Sequence, residues 1–258
     1  MTVARAAHRP VIDSRTVGAT LGRLLAVAGV VAIVVGISQP AFFSVSYRGS
    51  DTSLAWFGAV LALVVVPLVI VGFVRPAADG WVFAVGALLA GYYAWLPAAI
   101  ATHHWVGAGS GLWLTLFGAI AIAVGGAVAV VCMGNLRSTP TGLSTPSLLA
   151  GAGIAATFPA IFLVADSGDS YWTGPFGHSL GVVMLTVAIL AALAWIVTAL
   201  ARRRTYGLDV LFTLLLLGLA AYEPASRAFH HFGSLQAGAW LAFAGALVAA
   251  VGTWAARG

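Results

Sequence analysis

The run "GAVLALVVVPLVIVGFV", Gly58–Val74, decides the fold class, because it is apolar at every position. A strand crossing a membrane alternates, with one face toward lipid and the other toward a polar lumen. A segment with no polar side at all satisfies its backbone in hydrocarbon only as an α-helix. Crossing the hydrocarbon core takes about 20 helical residues at about 1.5 Å each. Working outward, runs of that length recur along the whole chain, and eight spans are expected, at about 20–38, 54–74, 81–101, 112–132, 147–165, 179–200, 208–228 and 236–255. The chain of 258 residues is 61% hydrophobic and 7% charged, against about 25% charged in a soluble domain. An all-α integral membrane protein in contact with the lipid bilayer is the expectation.

The formal charge of +5 does not point to nucleic acid, because there is no lysine and the arginines form no single patch. They mark sidedness instead. With eight alternating spans, Arg5, Arg9, Arg15, Arg23, Arg75, Arg137, Arg202, Arg203, Arg204 and Arg257 fall on one side, leaving Arg48 and Arg227 opposite. The positive-inside rule then makes both termini cytoplasmic, in what is expected to be the plasma membrane. The first run continues from Leu24–Ile37 into "SQPAFF" without a small-x-small cleavage pattern, so it reads as a helix rather than a signal peptide. Cys132 is the single cysteine, which leaves no intramolecular disulfide and no thiolate metal cluster.

A shift of 127 residues aligns 91–125 with 218–252 at 15 of 35 positions, without a gap. The matches include Gly91/Gly218, Pro97/Pro224, His103/His230, His104/His231, Gly111/Gly238, Trp113/Trp240 and Gly118/Gly245; upstream, Arg75 pairs with Arg202 and Gly80 with Gly207. The first two spans of each half correspond mainly in placement and hydropathy. Four spans per unit is an even number, so the units enter the membrane in the same direction. The expected architecture is two parallel four-helix repeats about a pseudo-twofold axis along the membrane normal. Residues 1–134 form the first, 135–146 a mobile cytoplasmic linker within "GNLRSTPTGLSTPS", and 147–258 the second. Small residues in "GAIAIAVGGAVAV" and "LLAGAGIAA" let helices approach closely. Pro67, Pro97, Pro159 and Pro224 are expected to kink or end their helices. Tryptophans such as Trp56, Trp172 and Trp240 fall near the outer interface, where indoles are comfortable.

In this topology His103, His104, His178, His230 and His231 lie on the extracytoplasmic side with Asp51, Asp166, Asp169 and Glu223. Where the first half has Leu96 and Ile100, the second has Glu223 and Arg227, four apart and so on one helix face. Ionisable groups at membrane depth cost a few kcal/mol unless paired or facing a wet cavity. An ion pair facing the interior is therefore expected, which either only neutralises itself or orients a histidine or ligand in a polar pocket. Candidate ligand-binding residues are Glu223, Arg227, Asp166 and Asp169.

Three readings of the histidines remain open. Imidazoles suit haem, copper or zinc, but adjacent histidines diverge by about 100° on a helix, so only one of each pair could face a common site. They could instead titrate at outer-face pH, or simply mark where helices end at the headgroups. His103, His104, His230, His231 and His178 are the candidate metal ligands. Duplicated four-helix units with outer histidines are similar in outline to haem A synthase. The signature of that family, two separate ligand histidines per half with an acidic residue close before the first, is not present here.

Two functions follow from these features. One is a non-enzymatic protein that binds or transports a small solute, or serves as a membrane subunit of a larger assembly, through a polar pocket on the extracytoplasmic side. The alternative is a haem- or copper-binding membrane redox protein. No G-x-S-x-G elbow, P-loop or paired-carboxylate motif points to another enzyme class.

Overall fold

A computed structural model describes residues 13–42, 45–48, 53–94, 109–134, 142–166, 169–173, 178–202, 205, 207–227 and 235–257. Helix α1 (Ser14–Ser38) begins where the Asp13 side chain accepts the Arg15 N–H at 3.1 Å. It runs into a hairpin of β1 (Pro40–Phe42) and β2 (Val45–Arg48), which leads to α2 (Ser53–Val74) and α3 (Ala78–Tyr93). Helix α4 (Ser110–Cys132) ends the first half. Helix α5 (Thr145–Ala160), capped by Ser144, opens the second half and leads to a second hairpin, β3 (Val164–Asp166) with β4 (Asp169–Ser170). Then follow α6 (His178–Trp195), closed by a π turn at Ile196–Leu200, α7 (Leu208–Ala220), the short α8 (Tyr222–Arg227) and α9 (Ala237–Ala255).

Among the described residues, six helical stretches are long and apolar enough to cross a membrane: Ser14–Ser38, Trp56–Val74, Ser110–Cys132, Leu180–Leu200, Leu208–Ala225 and Ala237–Ala255. This is the pattern of a polytopic membrane protein. The other two expected spans are shorter as described, 16 residues each in α3 and α5. Pro159 sits at the last turn of α5 and the chain bends at Ile161–Leu163 into β3. The run expected at 208–228 breaks at Ala221. Pro224 has no N–H to give to the Ala220 carbonyl, so the helical ladder is interrupted one turn earlier. Pro67, in contrast, lies within an uninterrupted α2.

Side-chain size is distributed as lipid requires. The interior is dominated by alanine and glycine, with Ala26, Ala62, Ala87, Ala119, Ala150, Ala188 and Ala242 fully buried. Large apolar side chains such as Leu21, Val60, Ile70, Val74 and Val251 point outward. Lipid tails are as apolar as leucine, so helices gain by close backbone approach rather than by hiding bulk from water.

Within the first half α1 packs on α4, α4 on α3, α3 on α2 and α2 on α1, and β1 rests on α4. Within the second half α5 packs on α9, α9 on α7, α7 on α6 and α6 on α5, and β3 rests on α9. The halves meet chiefly where α3 packs on α7. Glycines set these distances. A Cβ on Gly29 would stand 2.5 Å from the Gly118 carbonyl oxygen, and one on Gly118 would stand 2.6 Å from that of Gly29. Gly153 and Gly245 oppose each other likewise, at 2.5 and 2.9 Å. Between the halves, a Cβ on Gly91 would strike the Leu215 carbonyl and one on Gly218 the Leu88 carbonyl.

Candidate functional site

Among the described residues, polar groups gather at each end of the bundle. At the hairpin end, β3 and β4 pair antiparallel with Asp166 opposite Asp169, and Asp169 is exposed. The hairpin is fixed at its base, where the Gln236 N–H donates to the Ala165 carbonyl at 3.0 Å. It is fixed at its exit by Ser170, whose hydroxyl accepts the N–H groups of Trp172 (3.2 Å) and Thr173 (3.1 Å). That turn drives Tyr171 into the core beside Tyr222, Leu180 and Leu235.

The Tyr171 hydroxyl is buried and has no hydrogen-bond partner, and the same is true of Tyr93 at the end of α3. Burial first, then the charge of Glu223 and the neighbouring Tyr222, push the Tyr171 phenol above its ordinary range. It is therefore a neutral O–H donor at any working pH. Glu223, the second residue of α8, is half-buried. Tyr92 and Tyr93 meet edge to face with centroids 5.2 Å apart, and Phe57 lies 5.4 Å from Tyr92. The Glu223 carboxylate is thus within electrostatic reach of the buried Tyr171 phenol.

Of the residues expected from the sequence, the fold pairs the backbones of Asp166 and Asp169 across the hairpin and sets Glu223 within electrostatic reach of Tyr171, which follows the hairpin. Arg227 closes α8 and His178 opens α6; their side chains, like that of Asp166, lie outside the described residues. His103, His104, His230 and His231 also lie outside them. Among the described residues no group of three or more His, Cys, Asp or Glu side chains is arranged to hold a metal.

At the opposite end each half begins its third helix with a buried aspartate, a placement the N-terminal end of a helix favours. Asp79 is gripped by Arg23 of α1 in a fork, Nε to Oδ1 at 2.9 Å and NH2 to Oδ2 at 2.7 Å, with Phe73 4.8 Å beneath the guanidinium. Asp209 accepts from Thr205 Oγ1 at 3.0 Å and from Arg257 at 3.1 Å, and Thr205 in turn accepts from Thr198 Oγ1 at 3.1 Å. Thr198 belongs to the π turn, and its carbonyl accepts the Gly142 N–H at 3.2 Å, so the linker's described end is tied down. Arg202 beside it has φ 51, a left-handed value uncommon for a non-glycine residue.

Neither aspartate was expected as part of a site, and Tyr171 falls between the expected spans at 147–165 and 179–200. The signal was available for one of them. Arg23 stands nine residues into an apolar helix, and a charge there needs a partner. Tyr171 had no such signal, because only the fold shows that its hydroxyl is buried. No family model matches the sequence, and no curated protein or solved structure is significantly similar to it.

Proposed function

We propose that the chain is a duplicated, parallel eight-span membrane protein whose second half carries an extracytoplasmic site for a small solute, working alone or as the membrane subunit of a larger assembly. The observation that carries the duplication is the reciprocity of its contacts. Gly91 against Leu215 and Gly218 against Leu88 are one contact written twice, since both residue pairs differ by 127. Gly29 and Gly118 correspond in the same way to Gly153 and Gly245 once the first helices are shifted by 124. That shift also carries β1 onto β3, and "LLAVAG" at 24–29 onto "LLAGAG" at 148–153. An even number of spans per unit puts both hairpins on one side, and the arginine distribution makes that side extracytoplasmic.

Backbone contact between α3 and α7 blocks the axis between the halves at that level. This favours a site entered from the hairpin end over a pore along the axis. Glu223 is the group that takes the solute, with Arg227, four residues on along the chain, and Asp166 and Asp169, paired in the adjoining hairpin, as the further candidates. A ligand that binds only the folded state raises the unfolding temperature. A panel of polyols, ammonium compounds and carboxylates, scanned against the purified full chain, should contain solutes that raise the midpoint of the wild type and not of Glu223→Gln. A panel that moves neither protein, or both alike, counts against the reading.

A further inference from the structure

We infer that the end of the bundle opposite the hairpins binds the headgroups of anionic phospholipids, through Arg75 in the first half and Arg202 in the second. This goes beyond the outer site and does not depend on it. Contacts between helix ends gather one set of termini there: Gly18 of α1 faces Cys132 of α4, Arg23 of α1 grips Asp79 of α3, and Trp195 of α6 donates to the Ser147 carbonyl of α5 at 2.6 Å. Every described aspartate at this end is already engaged. Asp13 caps α1, Asp79 is forked by Arg23, and Asp209 is held by Thr205 and Arg257. Arg75 and Arg202 are exposed, and among the described residues no acidic side chain meets either. They stand 127 residues apart, each in the connection from the second helix of its half to the third.

The neighbours of these two guanidinium groups favour a lipid over a dissolved anion. Val74, next to Arg75, is 82% exposed, and Leu200, two residues before Arg202, is 53% exposed. A bare apolar side chain beside an unpaired cation is what the boundary between acyl chains and headgroups accommodates. Trp81, in the first turn of α3, is exposed too and packs against Trp254 of α9 with ring centroids 4.5 Å apart, an indole at the depth where headgroups begin. The backbone fixes Arg75 at that level: its N–H donates to the Val71 carbonyl at 2.7 Å, and its carbonyl accepts the Ala78 N–H at 2.9 Å. A lipid phosphate offers the paired oxygens that a guanidinium fork fits, while its chains cover the apolar neighbours. Inorganic phosphate leaves those neighbours in water.

The experiment titrates the full chain in mild detergent with phosphatidylglycerol, with zwitterionic phosphatidylcholine of the same acyl chains, and with glycerol 3-phosphate. The unfolding midpoint is read at each step, since a ligand of the folded state raises it. The half-saturating amount is compared, so a variant's own stability does not enter. Phosphatidylglycerol alone should raise the midpoint saturably. Its half-saturating amount should rise about five-fold in Arg75→Gln or Arg202→Gln and about thirty-fold in the double variant, the worth of one and two basic groups at an anionic surface. Arg15→Gln, equally exposed at this end but with Asp13 beside it, should stay within about two-fold of wild type. An equal rise with phosphatidylcholine, or a double variant that binds like wild type, overturns the inference. So does an equal rise with glycerol 3-phosphate, which marks a dissolved-anion site, or an equal loss in Arg15→Gln, which marks diffuse surface charge.

Discussion

Between its third and fourth helices the N-terminal half sets Gly86 against Ala123 and Gly126 against Phe83, backbone upon backbone. The C-terminal half has Thr213 and Thr253 at the positions 127 residues on, with their hydroxyls 3.0 Å apart. The same contrast holds at the ends of the third helices. Asp79 is closed off by a two-point fork from Arg23 within the bundle, whereas Asp209 shares a threonine chain and an arginine from the C-terminal turn. At these two places the first half relies on close backbone packing and a sealed ion pair. The second uses side-chain hydrogen bonds, and it alone among the described residues has a π turn, a left-handed arginine and a helix broken next to a carboxylate. The difference is one of chemistry at matched places, backbone contact in one half and side-chain hydrogen bonds in the other.

The largest expected effect tests the two aspartates against each other. Removing one partner of a sealed ion pair strands a charge, so Arg23→Ala or Asp79→Asn should cost about 3–5 kcal/mol in detergent unfolding. Arg257 is part-exposed, and Arg257→Ala should cost only about 1.5–3 kcal/mol. Equal losses would erase the distinction between a sealed and an open end. Next, Gly118→Val and Gly245→Val should each destabilise by about 1–3 kcal/mol, because each forces its helix away from the partner carbonyl. A large effect at one and none at the other would break the equivalence of the two interfaces.

Alkaline titration sharpens the contrast at the hairpin end. Below the ordinary phenol value of 10.0, Tyr171 is neutral folded and unfolded, and its contribution is fully present. Above it the unfolded chain loses the proton and the folded chain keeps it, so stability should fall by about 1.4 kcal/mol per pH unit from this group. The slope should be shallower by that amount in Tyr171→Phe. Smallest of all, Thr213→Val should cost about 0.6 kcal/mol, the usual worth of a hydrogen bond between membrane helices, with no counterpart to be found at Gly86.

The helices were legible because apolar runs of spanning length leave no alternative in lipid, and the proposed repeat rests in the sequence on Pro97/Pro224 and the paired histidines, which keep one spacing. In the first spans the spacing is 124 rather than 127, so "LLAVAG" and "LLAGAG" stay out of register under the single shift that reveals the rest. Glu223 was conspicuous as a charge in an apolar run. Tyr171 was not, since whether a loop tyrosine is exposed or driven into the core depends on the turn at Ser170 and on the anchoring of β3. Asp79 and Asp209 stood near expected span ends, where an acid attracts no notice until the arginine that meets it is located in space.

Parallel halves require the two hairpins to face the same compartment, and this is best tested by labelling intact cells. In a Cys132→Ser background, a membrane-impermeant maleimide is offered to single Gln39→Cys and Asp169→Cys variants, both at exposed positions beside a hairpin. Both should label from outside without permeabilisation, while Arg202→Cys should label only after it. Labelling of one hairpin and protection of the other would mean that the halves are inverted, and the account of a duplicated parallel bundle with one outer site would be wrong.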